Sequence, residues 1–196
     1  MKKILLILIL FGTSVNLAQN PPVDKVRGFF IAFDVGPQFP IGSFSSSTNL
    51  GYGFNVEVSY ADNQLFPFFL YGKIGFNQFP GAQSFYEVTE YSNFSTNILP
   101  VSIGARYFFR PLVENVVLFM PIIEASANYS YIQTLNQFKF ASGKNNYIAD
   151  FSKFGFSVGA GFSMFLMEIA ADYNYFKTNQ YISIELRIRL PLYISL

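Results

Sequence analysis

The chain has 196 residues, of which 51% are hydrophobic, 19% are aromatic and only 13% are charged. An ordinary soluble domain carries roughly 25% charged residues, and a domain of this size leaves much of its surface exposed, so the composition argues against a water-soluble globule. The formal net charge of +1 gives no basic excess for nucleic acid, and the absence of Cys excludes disulfide bonds.

The first residues have the pattern of a secretory signal peptide. Lys2 and Lys3 precede a short apolar run at positions 4–11, and Ala18 ends the segment. The run is far shorter than the ~20 apolar residues of a membrane-spanning helix. We therefore predict a cleaved signal peptide over 1–18, a short periplasmic linker over 19–27 and a single domain over 28–196.

Period-2 alternation of apolar and polar residues dominates the rest of the chain, and it predicts strands with two different faces. In the last stretch, Ile182 and Ile194 belong to the apolar face, whereas Arg187 and Tyr193 belong to the other. This stretch is long enough for a tilted strand that crosses a bilayer, which needs about 9–11 residues. The eight alternating stretches are 29–35, 52–60, 68–77, 99–109, 123–131, 154–164, 167–175 and 182–196.

The connections between these stretches alternate in length. Residues 42–49, 78–96 and 132–150 form long polar connections, whereas 61–65, 110–115 and the stretch near Phe165 are short. Outer-membrane barrels combine long outside loops with short periplasmic turns. The last outside loop, 177–180, departs from this pattern because it is short.

The polar face carries small residues and charges of both signs, and no charged residue falls on the apolar face of any predicted strand. Small side chains fit inside an eight-stranded barrel, which is just wide enough to be filled, and buried charges must be paired. We therefore predict an all-β, eight-stranded antiparallel up-and-down transmembrane barrel with apolar residues towards lipid and an interior ion-pair network. The network residues are Asp34, Glu57, Lys73, Arg106, Glu124, Glu168, Asp172, Glu185, Arg187 and Arg189. The alternative, a soluble lipocalin-like carrier, would turn the apolar face inward.

Three segments resemble the small outer-membrane β-barrel proteins of Bacteroidota, whose architecture is that of the OmpA and OmpX barrels. These segments are Gly-Pro-Gln-Phe-Pro-Ile-Gly at 36–42, Leu-Pro-Val-Ser-Ile-Gly-Ala-Arg-Tyr-Phe-Phe at 99–109 and Gly-Ala-Gly-Phe at 159–162. The resemblance implies an outer-membrane location and a C-terminal strand that the barrel-assembly machinery reads. The chain departs from that signal because it ends in Leu196, where an aromatic residue is commoner, and because Pro191 interrupts the strand.

Two patterns in the sequence could suggest catalysis. Residues 155–159 match the pattern G-x-S-x-G, but they lie in an alternating strand and the chain has no His to act as general base. A paired-carboxylate mechanism through Glu168, Asp172 and Glu185 stays open, although these residues fit better as partners of arginines. We predict no enzyme activity and no cofactor.

Aromatic residues gather in the connection 78–96, namely Phe85, Tyr86, Tyr91 and Phe94. They could bind a partner protein or glycan, or they could extend the neighbouring strands and pack on one another. The leading hypothesis for the whole chain is a non-enzymatic outer-membrane protein with structural or interaction roles through its outside loops. The alternative is an accessory barrel of a secretion or transport system.

Overall fold

Eight antiparallel strands form a closed barrel in the computed structural model, which describes residues 27–62, 68–112 and 119–195. Each strand pairs with its neighbours in sequence, and β1 pairs with β8 to close the ring. The predicted signal peptide and most of the predicted linker lie outside the described residues. The strands are β1 (Arg27–Ile41), β2 (Gly51–Asp62), β3 (Phe69–Pro80), β4 (Tyr91–Phe108), β5 (Phe119–Phe138), β6 (Tyr147–Met164), β7 (Met167–Phe176) and β8 (Gln180–Ser195). The prediction of an all-β, eight-stranded antiparallel barrel is confirmed.

Connections leave the barrel at two ends, which we call the loop end and the turn end. The loop end carries residues 42–50, 81–90, 139–146 and 177–179, including a 3₁₀ turn at Gly42–Ser46, the short helix α1 (Gln83–Val88) and a second 3₁₀ turn at Phe140–Ser142. The turn end carries residues 68, 109–112 and 165–166 and the start of β1, where Arg27 is already in the strand. Within the described ranges, no helix is long and apolar enough to cross a membrane.

The polarity of the barrel is inverted relative to a soluble one. Apolar side chains point outward, with Ile74 59% exposed and Phe33 50% exposed, whereas Glu57, Arg106 and Arg187 are 0% exposed in the interior. Successive side chains of a strand point to opposite faces, so the orientation of one residue fixes the orientation of all the others. The prediction that the apolar face is the outer face agrees with this geometry.

The last strand does not keep its alternation to the end. Phe30 pairs with Pro191 but Phe29 pairs with Tyr193, so the register shifts by one residue. Beyond this bulge Tyr193 shares the outer face with Phe29, and Ile194 lies opposite the buried Gly28. The predicted faces of Tyr193 and Ile194 are therefore wrong. Proline has no N–H to donate to the ladder, and it is tolerated in sheets at such irregularities.

Three strands extend beyond the closed wall at the loop end. β4, β5 and β6 have 18, 20 and 18 residues, whereas β7 has 10. We call the extension the flap, and it consists of residues 91–94 of β4, 133–138 of β5 and 147–153 of β6. The connections predicted over 78–96 and 132–150 are therefore shorter in the structure, because the strands extend into both ranges. Both faces of the flap carry polar residues, such as the successive Asn136 and Gln137 of β5, which point to opposite faces, so the alternation that marks the other strands is missing there.

Candidate functional site

Arg106 lies at the centre of a cluster of ionic side chains inside the barrel. Its two terminal nitrogens, Nη1 and Nη2, donate to the two carboxylate oxygens of Glu57 at 2.8 Å each, and its Nε donates to Glu124. Glu124 is the cross-strand neighbour of Arg106 in the pairing of β4 with β5. The guanidinium also covers the ring of Tyr71, with its Cζ 4.8 Å from the ring centroid.

Arg187 joins the same cluster from β8. Its Nε donates to Asp34 at 3.0 Å, and its Nη1 donates to Glu168 at 2.9 Å and to Glu124 at 3.2 Å. The register explains two of these contacts, because Asp34 on β1 and Glu168 on β7 are the direct neighbours of Arg187 on either side. Arg187 therefore links β8 to β1 across the seam where the barrel closes, and it also contacts β7 and β5.

The remaining predicted basic residues complete the cluster. Arg189 bridges Glu57 at 3.1 Å and Glu168 at 2.8 Å, and Lys73 meets Glu185 at 3.3 Å. Nine of the ten residues that the sequence grouped together are thus within ion-pair distance of an oppositely charged member of the group. We call these nine residues the ionic layer. They are Asp34, Glu57, Lys73, Arg106, Glu124, Glu168, Glu185, Arg187 and Arg189.

Asp172 differs from the other nine. Its side chain is buried, yet neither carboxylate oxygen has a hydrogen-bond partner among the described residues. The strand neighbours of Asp172 are Gly159 and Ser183, which carry no charge. The predicted ion pair of Asp172 is therefore absent from the part of the chain that the structure describes, because the register places it beside uncharged residues.

The isolation of Asp172 leads to a stability prediction. An unpaired buried carboxylate lowers stability, so Asp172→Asn should raise the free energy of unfolding by about 1 kcal/mol. The matched change Glu168→Gln should lower it, since Glu168 accepts from Arg187 and Arg189. Urea titrations of the three proteins in the same lipid vesicles would measure both effects. A loss of stability in Asp172→Asn as large as that in Glu168→Gln would contradict this prediction.

An apolar layer closes the interior on the loop-end side of the ionic layer. Phe44 enters it from the 3₁₀ turn at Gly42–Ser46, and its ring centroid lies 4.9 Å from that of Phe79. This layer was not predicted from the sequence, although Ile98 and Ile132 carry a detectable signal. They have the same phase in their strands as Arg106 and Glu124 and therefore point inward. The members of the layer are Phe44, Phe79, Ile98, Ile132, Phe176 and Tyr181.

Two stacked layers of side chains leave no room for a wide aqueous path. Small barrels are filled by their side chains, and here an ionic layer and an apolar layer lie one above the other. We expect the purified protein to give no steady, porin-sized conductance in planar lipid bilayers. Steady channels of that size from fully folded protein would rule out the filled interior and favour a transport role.

The aromatic residues of the predicted loop surface pack on one another. Phe85 of α1 stacks on Tyr91 of β4 at 5.2 Å between ring centroids and lies 5.3 Å from Phe94. The hydroxyl of Tyr86 donates to the main-chain oxygen of Phe94 at 2.9 Å and accepts from its N–H at 3.0 Å. All four rings are half-buried. These contacts agree with the alternative in which the aromatic residues pack on one another. Binding of a partner protein or glycan by these residues stays a prediction.

The two edges of the flap differ. The edge formed by β4 is covered, because α1 lies against it and Tyr86 occupies the main-chain groups of Phe94. The edge formed by β6 is open: β6 pairs with β7 only from Gly155 onward, and within the described residues no strand pairs with positions 147–154 on that side. Ile148 and Phe154 are exposed along this edge. Its base is anchored by Lys153, whose Nζ donates to the main-chain oxygen of Lys177 at 2.6 Å.

The two lysines of the connection between β5 and β6 are already engaged within the chain. Lys139 donates to the main-chain oxygens of Tyr86 and Thr89 at 2.8 Å each, and Lys144 pairs with Glu90. The hydrogen bond from Lys144 to Glu90 and the charge of that carboxylate raise the pKa of Lys144 above its usual value. These contacts fasten the tip of β5 and β6 to the start of β4.

The fold and its interior define the chain as a small closed antiparallel β-barrel with an ionic interior and an apolar exterior. No protein-family model and no curated protein sequence matches the chain. Among solved structures, it is similar to the Neisserial surface protein A (NspA), with 13% identity, a TM-score of 0.48, and coverage of 84% of this chain and 97% of that chain. It is also similar to Ail, the attachment invasion locus protein of Yersinia pestis, with 15% identity, a TM-score of 0.46, and coverage of 86% and 100%. The function of this chain is inferred from its own geometry.

Proposed function

We propose that this chain is an integral, non-enzymatic protein of the bacterial outer membrane that presents its flap to a protein partner outside the cell. The inverted polarity supports insertion in lipid. Along the closed wall the charged side chains of the described strands point inward, except for that of Arg27 at the start of β1, which is exposed, and the outer face is apolar. The shortest strand, β7, has 10 residues, which matches the 9–11 residues that a tilted strand needs to cross the hydrocarbon.

Aromatic side chains near both ends of the outer face support the same placement. At the turn end Phe29 contacts Tyr60 at 4.8 Å between ring centroids, and Phe119 stacks on Phe162 at 4.6 Å. Towards the loop end the outer face carries the pairs Tyr129–Phe154 and Phe156–Tyr175, each at 5.0 Å. Rings of aromatic residues of this kind flank the apolar band of outer-membrane barrels, where they meet the two interfaces.

A structural role for the barrel interior fits better than catalysis. Ser157, the serine of the G-x-S-x-G match, is buried within β6, and its hydroxyl lies 2.6 Å from that of Ser126. The carboxylates Glu168 and Glu185 lie beside arginine and lysine side chains beneath the apolar layer. We propose that the ionic layer holds the barrel together and carries out no reaction.

The open edge of β6 is the observation on which the partner role rests. An exposed edge offers unpaired main-chain N–H and C=O groups that can accept another strand, and peptide recognition by strand addition uses such edges. Natural proteins usually cover them, as α1 covers the β4 edge of the same flap. We propose that an extended segment of another protein pairs with β6 along residues 147–153.

A second copy in the same membrane fits this edge poorly. Two copies related by an axis along the membrane normal would bring their β6 strands together in parallel, with Asp150 facing Asp150. Like charges directly opposite each other destabilise a strand pair. The edge is therefore better suited to a strand that arrives from outside the membrane.

The orientation of the barrel can be tested by cysteine labelling, because the natural chain has no Cys. Phe140 at the loop end and Leu112 at the turn end are both exposed. We expect Phe140→Cys to react with a membrane-impermeant maleimide on intact cells, and Leu112→Cys to react only after the outer membrane is permeabilised. Recovery of the protein in the periplasmic fraction without detergent would instead support a soluble carrier.

The partner surface can be tested by photo-crosslinking in intact cells. A photoreactive residue at Ile148, on the open edge, should give a discrete crosslinked species with an extracellular protein. The same residue at Asn93, which is exposed on the covered side of the flap, is the matched control and should not. Equal crosslinking from both positions, or crosslinking to glycan alone, would contradict recognition of a protein strand by β6.

A further inference from the structure

The turn end of the barrel opens into a cavity that the proposed partner role does not use. Its volume is about 460 Å³, within the range of about 300–1,000 Å³ typical of small-molecule sites. We call it the turn-end cavity. Its lining is mainly apolar and includes Phe30, Phe69, Phe108, Met120, Leu166 and Ile194.

The charged part of the lining belongs to the ionic layer. Glu168 and Arg189 both border the cavity, and they are joined through Arg189 Nη1 at 2.8 Å. The Cζ of Arg189 lies 5.4 Å from the ring centroids of both Phe69 and Phe108. The buried Nε–H of the same guanidinium has no acceptor among the described residues. Apolar walls thus converge on a single guanidinium that lacks one hydrogen bond.

The charged groups that border the cavity restrict what could occupy it. A cationic group would meet Arg189. An anionic group would enter an interior in which the ten predicted residues already comprise six carboxylates and four basic groups, and in which Glu57 and Glu168 occupy the terminal nitrogens of Arg189. An uncharged oxygen avoids both penalties and can accept from the free Nε–H. The apolar walls favour an apolar tail, because its burial removes apolar surface from water.

We propose that the turn-end cavity binds a neutral amphipathic molecule, with an alkyl or aromatic tail among the phenylalanines and one uncharged oxygen near Arg189. Such an oxygen belongs to an ester, an alcohol or an amide. The molecule could be a free small compound or part of a surrounding lipid, and the chemistry of recognition is the same for both.

Methionine methyl groups provide a direct readout in the intact barrel. Met120 lines the cavity, whereas Met164 and Met167 are exposed on the outer face. With ¹³C-methyl methionine and 1-decanol as the probe, we expect a saturable chemical-shift change at Met120. Met164 and Met167 should show only the small, linear drift caused by partition into the surrounding amphiphile. An unmoved Met120, or equal changes at all three methyl groups, would overturn the proposal.

Charge variants of the probe and cavity-filling variants of the protein sharpen the test. Decanoate and decylammonium should shift Met120 at least several-fold less than decanol at equal concentration, and an equal response to either would refute the neutral head group. Ser163→Phe, which adds a ring to the cavity wall, should abolish the decanol response while the barrel still migrates as folded protein on an unheated gel. If that variant does not fold, Ile194→Trp at the exposed end of β8 replaces it. A full response in the folded variant would place the ligand elsewhere.

The surrounding medium separates the two sources of the ligand. If a lipid ester already occupies the cavity, decanol should shift Met120 for protein in lipid-free amphipol but not for protein in lipid nanodiscs. If the natural ligand is a free compound, both samples should respond.

Discussion

Arg187→Ala is expected to lower the free energy of unfolding by about 3–5 kcal/mol, the range for removing one partner from a buried ionic cluster. Arg187 is fully buried, and it donates to Asp34, Glu124 and Glu168. Alanine would leave these carboxylates in a closed interior with too little positive charge. The loss should appear as a lower urea midpoint for protein refolded into lipid vesicles.

Two further variants test whether the effect comes from the cluster. Arg187→Lys should recover only part of the stability, since one ammonium group cannot donate to three carboxylates with the geometry of a guanidinium fork. Arg110→Ala removes the same side chain from an exposed position at the turn end and should change stability by less than ~0.5 kcal/mol. If Arg187→Ala unfolds at the same urea concentration as the natural protein, the ionic layer contributes nothing to stability.

Membership of the ionic layer could be predicted from the sequence because strand phase alone assigns a face. Glu124 and Arg106 lie on the polar face of their strands, so closing the barrel brings both inside. The individual contacts could not be predicted. Asp34 and Arg187 are separated by most of the chain, and they meet only because β1 closes on β8 in a particular register. The same register leaves Asp172 beside Gly159 and Ser183, a detail that no alternation pattern contains.

The apolar layer and the flap were harder to predict for a related reason. Phe44 lies in a connection, and nothing in its local sequence indicates that it folds back into the barrel. In the proposed placement the flap strands extend beyond the lipid, so polar residues can occupy both faces and the period-2 signal disappears. Alternation of apolar and polar residues indicates that the two faces of a strand meet different environments. No such alternation is expected where both faces meet the same environment.

The layered interior separates the two ends of the molecule. The apolar layer lies towards the loop end, the ionic layer follows it, and the turn-end cavity borders Arg189 and Glu168 on the other side. A partner strand on β6 and a ligand in the cavity therefore share no residues. We expect the cavity-filling variant to leave crosslinking from Ile148 unchanged, so the two proposals can fail independently.

Closure of the barrel depends on a glycine at its seam, and Gly36→Ala is expected to lower the free energy of unfolding by about 3 kcal/mol, the upper end for overpacking. A Cβ on Gly36 would lie 1.8 Å from the main-chain oxygen of Ile184 and 2.9 Å from its carbonyl carbon. A main-chain group cannot rotate away as a side chain can, so β1 and β8 must separate. In hydrocarbon each main-chain group left unpaired would cost several kcal/mol.

Gly72→Ala is the matched control for this substitution. Gly72 is also in a strand, but it is exposed, and a Cβ there meets nothing within 4 Å. Alanine at this site should leave stability unchanged or raise it by up to ~1 kcal/mol, because it restricts the unfolded chain. Urea midpoints and the fraction of folded protein on an unheated gel would compare the two variants. Equal stability of the two would mean that β1 and β8 do not approach each other closely at Gly36, and the closed seam would have to be abandoned.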